Sequence, residues 1–230
     1  MQPKWTIAFD ADDTLWHNER GFQETQARFT QLLADWTEPN DLMARLLTAE
    51  RRNLPIYGFG IKGFILSMIE TAIDVTGGEV PAATISELLV MGNAMLADPV
   101  ELLDGTQETI EAIKPMAEIL LITKGDLLDQ ERKVAQSGLA HLFDRIEIVS
   151  DKTASVYSHI FASHDTPQQM MVGNSIKSDI IPALEAGLWA VHVPHELTWE
   201  YEQAEPPINH RHFRKIPTLR SLHDLVTTLS

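Results

Sequence analysis

Five short apolar runs constrain this chain more than any other feature: Trp5–Ala11, Ala117–Thr123, Arg145–Ser150, Met170–Gly173 and Leu188–Pro194. Most are continuous rather than alternating in hydrophobicity, which is how strands buried on both faces read. Between the last four lie helix-length segments with apolar residues at helical spacing, from Leu127 and Leu128 to Val134, from Val156 to Phe161 and from Ile176 to Leu184. Repeated βα alternation implies a parallel sheet with right-handed crossovers, so the fold class expected is α/β.

The interval from about His17 to Leu103 breaks that rhythm. It holds no convincing strand but several helical stripes: Phe22, Gln26, Phe29, Leu33 and Trp36, then Leu42, Met43, Leu46 and Leu47, then Phe64, Met68, Ile69 and Ala72. Pro39, Pro55, the Gly77-Gly78 pair with Pro81, and Asp98-Pro99 punctuate these segments. A helical insertion after the first strand is the simplest account, returning to the core near Asp104-Gly105. Domains are thus expected at 1–16 with 104–230 (α/β core) and 17–103 (helical insertion). Past Glu205-Pro206-Pro207 a final helix is expected around Leu219–Leu229.

Charge narrows the function classes. With 33 acidic against 18 basic side chains the formal charge is −15, which disfavours nucleic acid and anionic membrane surfaces and leaves a small ligand as the expected partner. There is no cysteine, so disulfides, thiolate catalysis and Cys-based zinc sites are all excluded. Met1-Gln2-Pro3-Lys4 leads into the first strand with no signal-type apolar stretch, and no run approaches the roughly eighteen apolar residues of a membrane span. A soluble, cytoplasmic protein is expected, its oligomeric state left open.

In an open parallel sheet, ligands bind beyond the carboxyl ends of the strands. The first run ends in Asp10-Ala11-Asp12-Asp13-Thr14 and the second in Thr123-Lys124-Gly125; the third is followed by Asp151-Lys152-Thr153, and the fourth by Gly173-Asn174-Ser175 with Asp179 beyond. This set suits phosphoryl transfer. Two carboxylates two residues apart can face one centre, Asp10 attacking phosphorus while Asp12 shuttles the leaving-group proton. Carboxylates gathered so closely call for a hard divalent cation, with Mg²⁺ the natural candidate and Asp10, the Asp12 main-chain carbonyl and Asp179 as oxygen ligands. The Thr123 hydroxyl and the Lys152 ammonium can hold the remaining phosphate oxygens, with Thr14, Lys124 and Gly125 as further substrate contacts.

With these residues in this order, the chain resembles the haloacid dehalogenase superfamily. Asp10-Ala11-Asp12-Asp13-Thr14 matches its Asp-x-Asp-x-Thr motif, and Thr123, Lys152 and Asp179 match the second, third and fourth motifs over about residues 1–16 and 104–195. The resemblance implies a Rossmann-like core, a phospho-aspartyl intermediate on Asp10, acid/base work by Asp12, Mg²⁺, and an all-helical cap between the first two motifs that closes over the site and excludes water. The function it implies is that of a Mg²⁺-dependent phosphatase of small phosphomonoesters. One position departs: the fourth motif usually begins Gly-Asp, whereas here Gly173 is followed by Asn174, a neutral amide in place of a ligand carboxylate. Dehalogenase members typically lack the second aspartate and the metal, so Asp12 favours phosphatase over 2-haloacid dehalogenase. A phosphosugar mutase shares the same half-reaction and stays open, as does a non-catalytic protein that binds a phosphorylated metabolite, a reading encouraged by Asn174.

Other candidates have plainer readings. Asp13 is expected to be a capping or turn residue beside the site. Gly58-Phe59-Gly60-Ile61-Lys62-Gly63 spells a dinucleotide fingerprint but follows no strand, so a cap turn is expected, with Lys62 as a candidate substrate contact. His192 and His195, three apart at a strand end, point to different sides rather than to one metal. The His210–Lys215 basic cluster reads as a solvated edge segment.

Overall fold

A computed structural model describes residues 4–164 and 166–230; Met1-Gln2-Pro3, at the head of the first segment, lie outside them. Among these residues six strands form one sheet: β1 (Trp5–Phe9), β2 (Ala117–Lys124), β3 (Arg145–Val149), β4 (Gln168–Gly173), β5 (Trp189–His192) and β6 (Phe213–Lys215). Their order is β3-β2-β1-β4-β5-β6 and every neighbouring pair is parallel. The chain leaves β1 in both directions across the sheet, which opens a crevice at the carboxyl ends of β1, β2 and β4.

The helices are α1 (Glu19–Leu32), α2 (Pro39–Tyr57), α3 (Ile61–Val75), α4 (Ala82–Ala97), α5 (Thr106–Ile113), α6 (Leu127–Ser137), α7 (Ala154–Phe161), α8 (Ile181–Glu185) and α9 (Leu222–Leu229). The continuous apolar runs have a direct cause, since both sheet faces are covered. Trp5, Ile7, Phe9, Ile119 and Leu121 pack with Ile110 and Ile113 of α5 and with Leu222 and Val226 of α9. Ala8, Leu120, Ile122 and Met171 pack on the other face with Tyr157, Ile160 and Phe161 of α7 and Ala183 of α8.

The chain divides into two compact units, Met1–Glu19 with Val100–Ser230, and Arg20–Pro99. The second holds α2, α3, α4 and nearly all of α1, the helical cap inserted between β1 and β2. Its core joins Phe29, Leu33, Leu42, Leu46, Phe64, Met68, Ala72 and Leu88, so the helical stripes of the sequence are its packing faces. Trp36 departs from its stripe and is 42% exposed.

Three local readings differ from the sequence. Pro55 does not end a segment but lies inside α2, which runs on to Tyr57 and stops where Gly58 takes a φ of 74°. Residues Ile176–Ile180 form a wider π turn before α8 rather than one regular helix. The edge position read for His210–Lys215 holds, but its last three residues, Phe213–Lys215, form a strand, β6, with Phe213 buried. Among the described residues no helix is long and apolar enough to cross a membrane.

Candidate active site

Asp10 is the first residue past β1, and its main-chain N–H donates to the Val172 carbonyl at 2.9 Å, so the β1–β4 pairing carries one residue into the site. Two groups meet its carboxylate, and a third joins at one remove. Thr14 Oγ1 donates to Asp10 Oδ2 at 2.8 Å. Lys152, after β3, donates its ammonium to Asp10 Oδ1 and, at 2.7 Å, to Asp179 Oδ1. Lys152 and Asp179 are both buried, with side chains 1% exposed. Asn174 joins through Thr14: its N–H donates to Thr14 Oγ1 at 3.0 Å, and that hydroxyl lies 3.3 Å from Asn174 Oδ1.

Asp179 reaches this centre by folding back over the end of β4, where Ser175 N–H donates to its Oδ2 at 2.9 Å. Gly173 is the residue that permits this, because a Cβ there would run into the Asp179 carboxylate. Thr123 is 1% exposed at the end of β2. Phe9 pairs with Leu121, so Thr123 lies two residues further along β2, the strand next to β1, after which Asp10 follows.

Burial raises the Asp10 carboxyl to about 7; Asp179 adds to the rise and the Lys152 ammonium opposes it. Burial works against the Lys152 charge, but Asp10 and Asp179 reverse that and hold its pKa well above 10.5. One buried ammonium thus serves two buried carboxylates, and the centre as a whole lacks positive charge.

Asp12 is held separately. Its Oδ1 accepts from Trp16 Nε1 at 2.7 Å and Lys133 Nζ at 3.0 Å, and its Oδ2 accepts from Gln130 Nε2 at 2.9 Å and Lys133 Nζ at 3.1 Å. Burial raises its pKa, but the Lys133 charge and the hydrogen bonds from Gln130, Lys133 and Trp16 outweigh this, leaving it below the usual carboxylate range. Gln130 and Lys133, three apart on one face of α6, are not among the residues the sequence points to, since no local pattern ties them to Asp12, 118 and 121 residues away. Asp13 takes a φ of 60° and its carboxylate accepts from the N–H groups of Asn18 (2.9 Å) and Glu19 (3.1 Å), a cap at the start of α1.

The remaining candidates are placed as follows. Lys124 is paired with Glu202 at 2.6 Å. Gly125, at φ 147°, leaves room for Gln130: a Cβ there would stand 2.9 Å from Gln130 Nε2. Lys62 is exposed on the first turn of α3, in the other unit. His192 and His195 have separate partners, Nε2 of the first lying 3.0 Å from the Asn174 carbonyl oxygen and Nδ1 of the second 3.0 Å from that of Leu197.

The side-chain groups here able to ligate a cation, the Asp10 and Asp179 carboxylates and the Asn174 amide, offer oxygen, which suits a hard divalent cation rather than a soft one. Among the described residues no group of three acidic or histidine side chains is placed to hold a metal ion by itself. Two carboxylates, Asp10 and Asp179, would be completed as a metal-holding set by the amide oxygen of Asn174, whose main-chain N–H is tied to Asp10 through the Thr14 hydroxyl. The residues fit Mg²⁺ in kind, with one formal charge fewer than a three-carboxylate site.

A family model described as "Hydrolase: haloacid dehalogenase-like hydrolase" matches residues 6–187. A haloacid dehalogenase-like family hydrolase from Xanthomonas campestris is 37% identical, with 99% of this chain and 91% of that chain covered and a TM-score of 0.87. The HAD-hydrolase YfnB from Bacillus subtilis, solved bound to magnesium, is similar at 17% identity, 98% and 99% coverage and a TM-score of 0.65. A predicted phosphoglycolate phosphatase from Haemophilus somnus stands at 16% identity, 98% and 99% coverage and a TM-score of 0.64. No curated protein matches the chain.

Proposed function

Because the chain belongs to the haloacid dehalogenase-like hydrolases, we propose that it is a Mg²⁺-dependent phosphatase of small phosphomonoesters working through a phospho-aspartyl intermediate. The observation that carries this reading is the convergence on Asp10 of the Thr14 hydroxyl and of the Lys152 ammonium shared with Asp179. Asp10 attacks phosphorus, a P–O bond forms to its carboxylate, and the bond to the leaving alkoxide breaks. Asp12 donates the proton that oxygen needs, then removes one from the water that hydrolyses the acyl phosphate, which returns Asp10 and frees phosphate. Lys152 and Thr123 hold the non-bridging oxygens. Asp10, Asp179, the Asn174 amide oxygen and the Asp12 main-chain carbonyl would hold Mg²⁺, which offsets charge on the transferring phosphoryl group.

Asp12 supports phosphoryl transfer over halide displacement, since an alkoxide leaving group requires a proton and a halide does not. Its contacts hold the carboxylate ionised, and both the acid step and the base step require it to leave Lys133 and turn to substrate or water. The Asp12 carboxylate itself is fully engaged by Trp16, Gln130 and Lys133, so the metal role falls to its main chain.

The test is phosphate release over a panel of phosphorylated metabolites, with and without Mg²⁺, using Asp10→Asn as blank. Mg²⁺-dependent release absent from the blank supports the reading. An isomerised sugar phosphate would make the protein a mutase, halide release a dehalogenase, and ligand binding without turnover a binding protein. Asn174→Asp adds one ligand charge and is expected to lower the Mg²⁺ concentration for half-maximal activity by about five- to tenfold. An unchanged titration would remove Asn174 from the metal set.

A further inference from the structure

Lys124 follows the second-motif threonine, yet its ammonium is committed elsewhere. It lies 2.6 Å from Glu202 Oε1 and donates to Ser178 Oγ at 2.5 Å. The other carboxylate oxygen, Glu202 Oε2, accepts from Ser175 Oγ at 2.6 Å and Ser178 Oγ at 2.5 Å. Ser178 N–H in turn donates to Ser175 Oγ at 3.0 Å. One carboxylate therefore ties the end of β2 to both serines of the turn that carries Asp179. That turn is the one whose Ser175 N–H fixes Asp179 Oδ2.

Glu202 sits in the short helical turn Glu200–Glu202, beyond the residues 6–187 that the family model matches. The turn has a second anchor: Lys177 Nζ lies 3.3 Å from the Tyr201 ring centroid and donates to the Tyr201 carbonyl at 2.9 Å. Lys124 and Glu202 have side chains only 14% and 12% exposed, so the pair is shielded from solvent. Burial raises the Glu202 pKa, but Lys124 and the hydrogen bonds from Lys124 and the two serines prevail and keep it below the ordinary glutamate value.

We propose that Glu202 is a positioning residue of the active site: by gripping Ser175 and Ser178 while neutralising Lys124, it holds the Asp179 carboxylate where Lys152 and a divalent cation share it with Asp10. This rests on the function proposed above. A carboxylate on a short turn is a poor anchor unless its own place is fixed, and the Lys177–Tyr201 contact supplies that. The grip acts through Ser175, one bond network away from Asp179, and needs no contact between Glu202 and substrate.

The experiment compares two variants in which no buried ammonium is left at position 124: Lys124→Met, which keeps Glu202 on the serines, and Lys124→Met/Glu202→Leu, which removes it. Each is measured for kcat and KM on p-nitrophenyl phosphate at saturating Mg²⁺, for Mn²⁺ affinity by electron paramagnetic resonance without substrate, and for thermal melting. The double variant is expected to melt no earlier than the single one, yet to bind Mn²⁺ about tenfold more weakly and to lose about tenfold in kcat, with KM within twofold. Mn²⁺ affinity and kcat both within twofold of the single variant would overturn the proposal, as would losses that track the melting temperature. A wild-type protein that neither hydrolyses the ester nor binds Mn²⁺ would instead overturn the function itself, and the positioning role with it.

Discussion

Asp10→Asn is expected to lower phosphate release by about 10⁴-fold or more, because an amide oxygen is too weak a nucleophile to open the covalent route and the remaining groups have nothing to act upon. The same variant is expected to gain stability in metal-free buffer, and the sign follows from where Asp10 titrates. An unfolded Asp10 ionises near 3.8, whereas the folded protein holds its proton to about 7. Between those values the folded state binds more protons than the unfolded one, so ionising Asp10 costs stability as pH rises through the window, and the cost is complete above about 7. Asparagine carries no such cost. The melting temperature of Asp10→Asn is thus expected to match that of the wild type near pH 4 and to exceed it at pH 8. The difference is bounded by about 4 kcal/mol, three pKa units at roughly 1.4 kcal/mol each. Thermal melts of both proteins in EDTA at pH 4.5, 6 and 8 check this, and a gap that does not widen with pH would contradict it. Adding Mg²⁺ should narrow the gap, since a cation between Asp10 and Asp179 relieves the repulsion that raises the wild-type carboxyl.

What the sequence revealed of this arrangement follows from what burial does to composition. Strands covered on both faces must be largely apolar, and β1, β2 and β4 each carry a continuous apolar stretch, so they read as runs and the polar residues just past them read as a set. β6 escaped notice because it pairs on one side only and carries Arg214 and Lys215 in three residues. Pro55 lies inside α2 although the sequence reads as a break there, because a proline near the end of a helix and one just beyond it look the same in sequence.

The side chains that tune the site were less legible than those that form it. Asp12 is held by Gln130 and Lys133 from 118 and 121 residues away, and Lys124 by Glu202 from 78 residues away. Nothing in a local pattern couples residues so distant; only the approach of α6 and of the Glu200–Glu202 turn to the strand ends does. Lys124 illustrates the consequence. Its position beside Thr123 suggested a substrate contact, while its charge is spent on Glu202.

Lys152→Met should produce the largest loss of stability of any single change at the site. Its ammonium is the charge shared by the Asp10 and Asp179 carboxylates, with all three side chains at most 9% exposed. Removing one partner of a buried ion pair costs about 3–5 kcal/mol, because the charge left behind has neither water nor a counterion. For a chain of this size each kcal/mol shifts the melting temperature by about 2–4 °C, so a drop of about 6–20 °C is expected at pH 8. The deficit should shrink as pH falls toward 5, since a carboxyl deprived of its cation can take up a proton instead and the repulsion between the pair then disappears. The wild type behaves differently: the Lys152 pKa is raised, so its contribution is fully present below about 10.5 and is lost only in more alkaline solution. Activity should fall by about 10²–10³-fold at saturating Mg²⁺, through loss of a charge aimed at the phosphoryl oxygens. Lys152→Arg separates the two effects. It restores the charge, and with it most of the melting temperature, but its planar fork cannot sit as a point charge between two carboxylates, so turnover should stay low. A Lys152→Met protein that melts within about 2 °C of the wild type at pH 8 would mean that the two carboxylates do not both carry charge in the folded state.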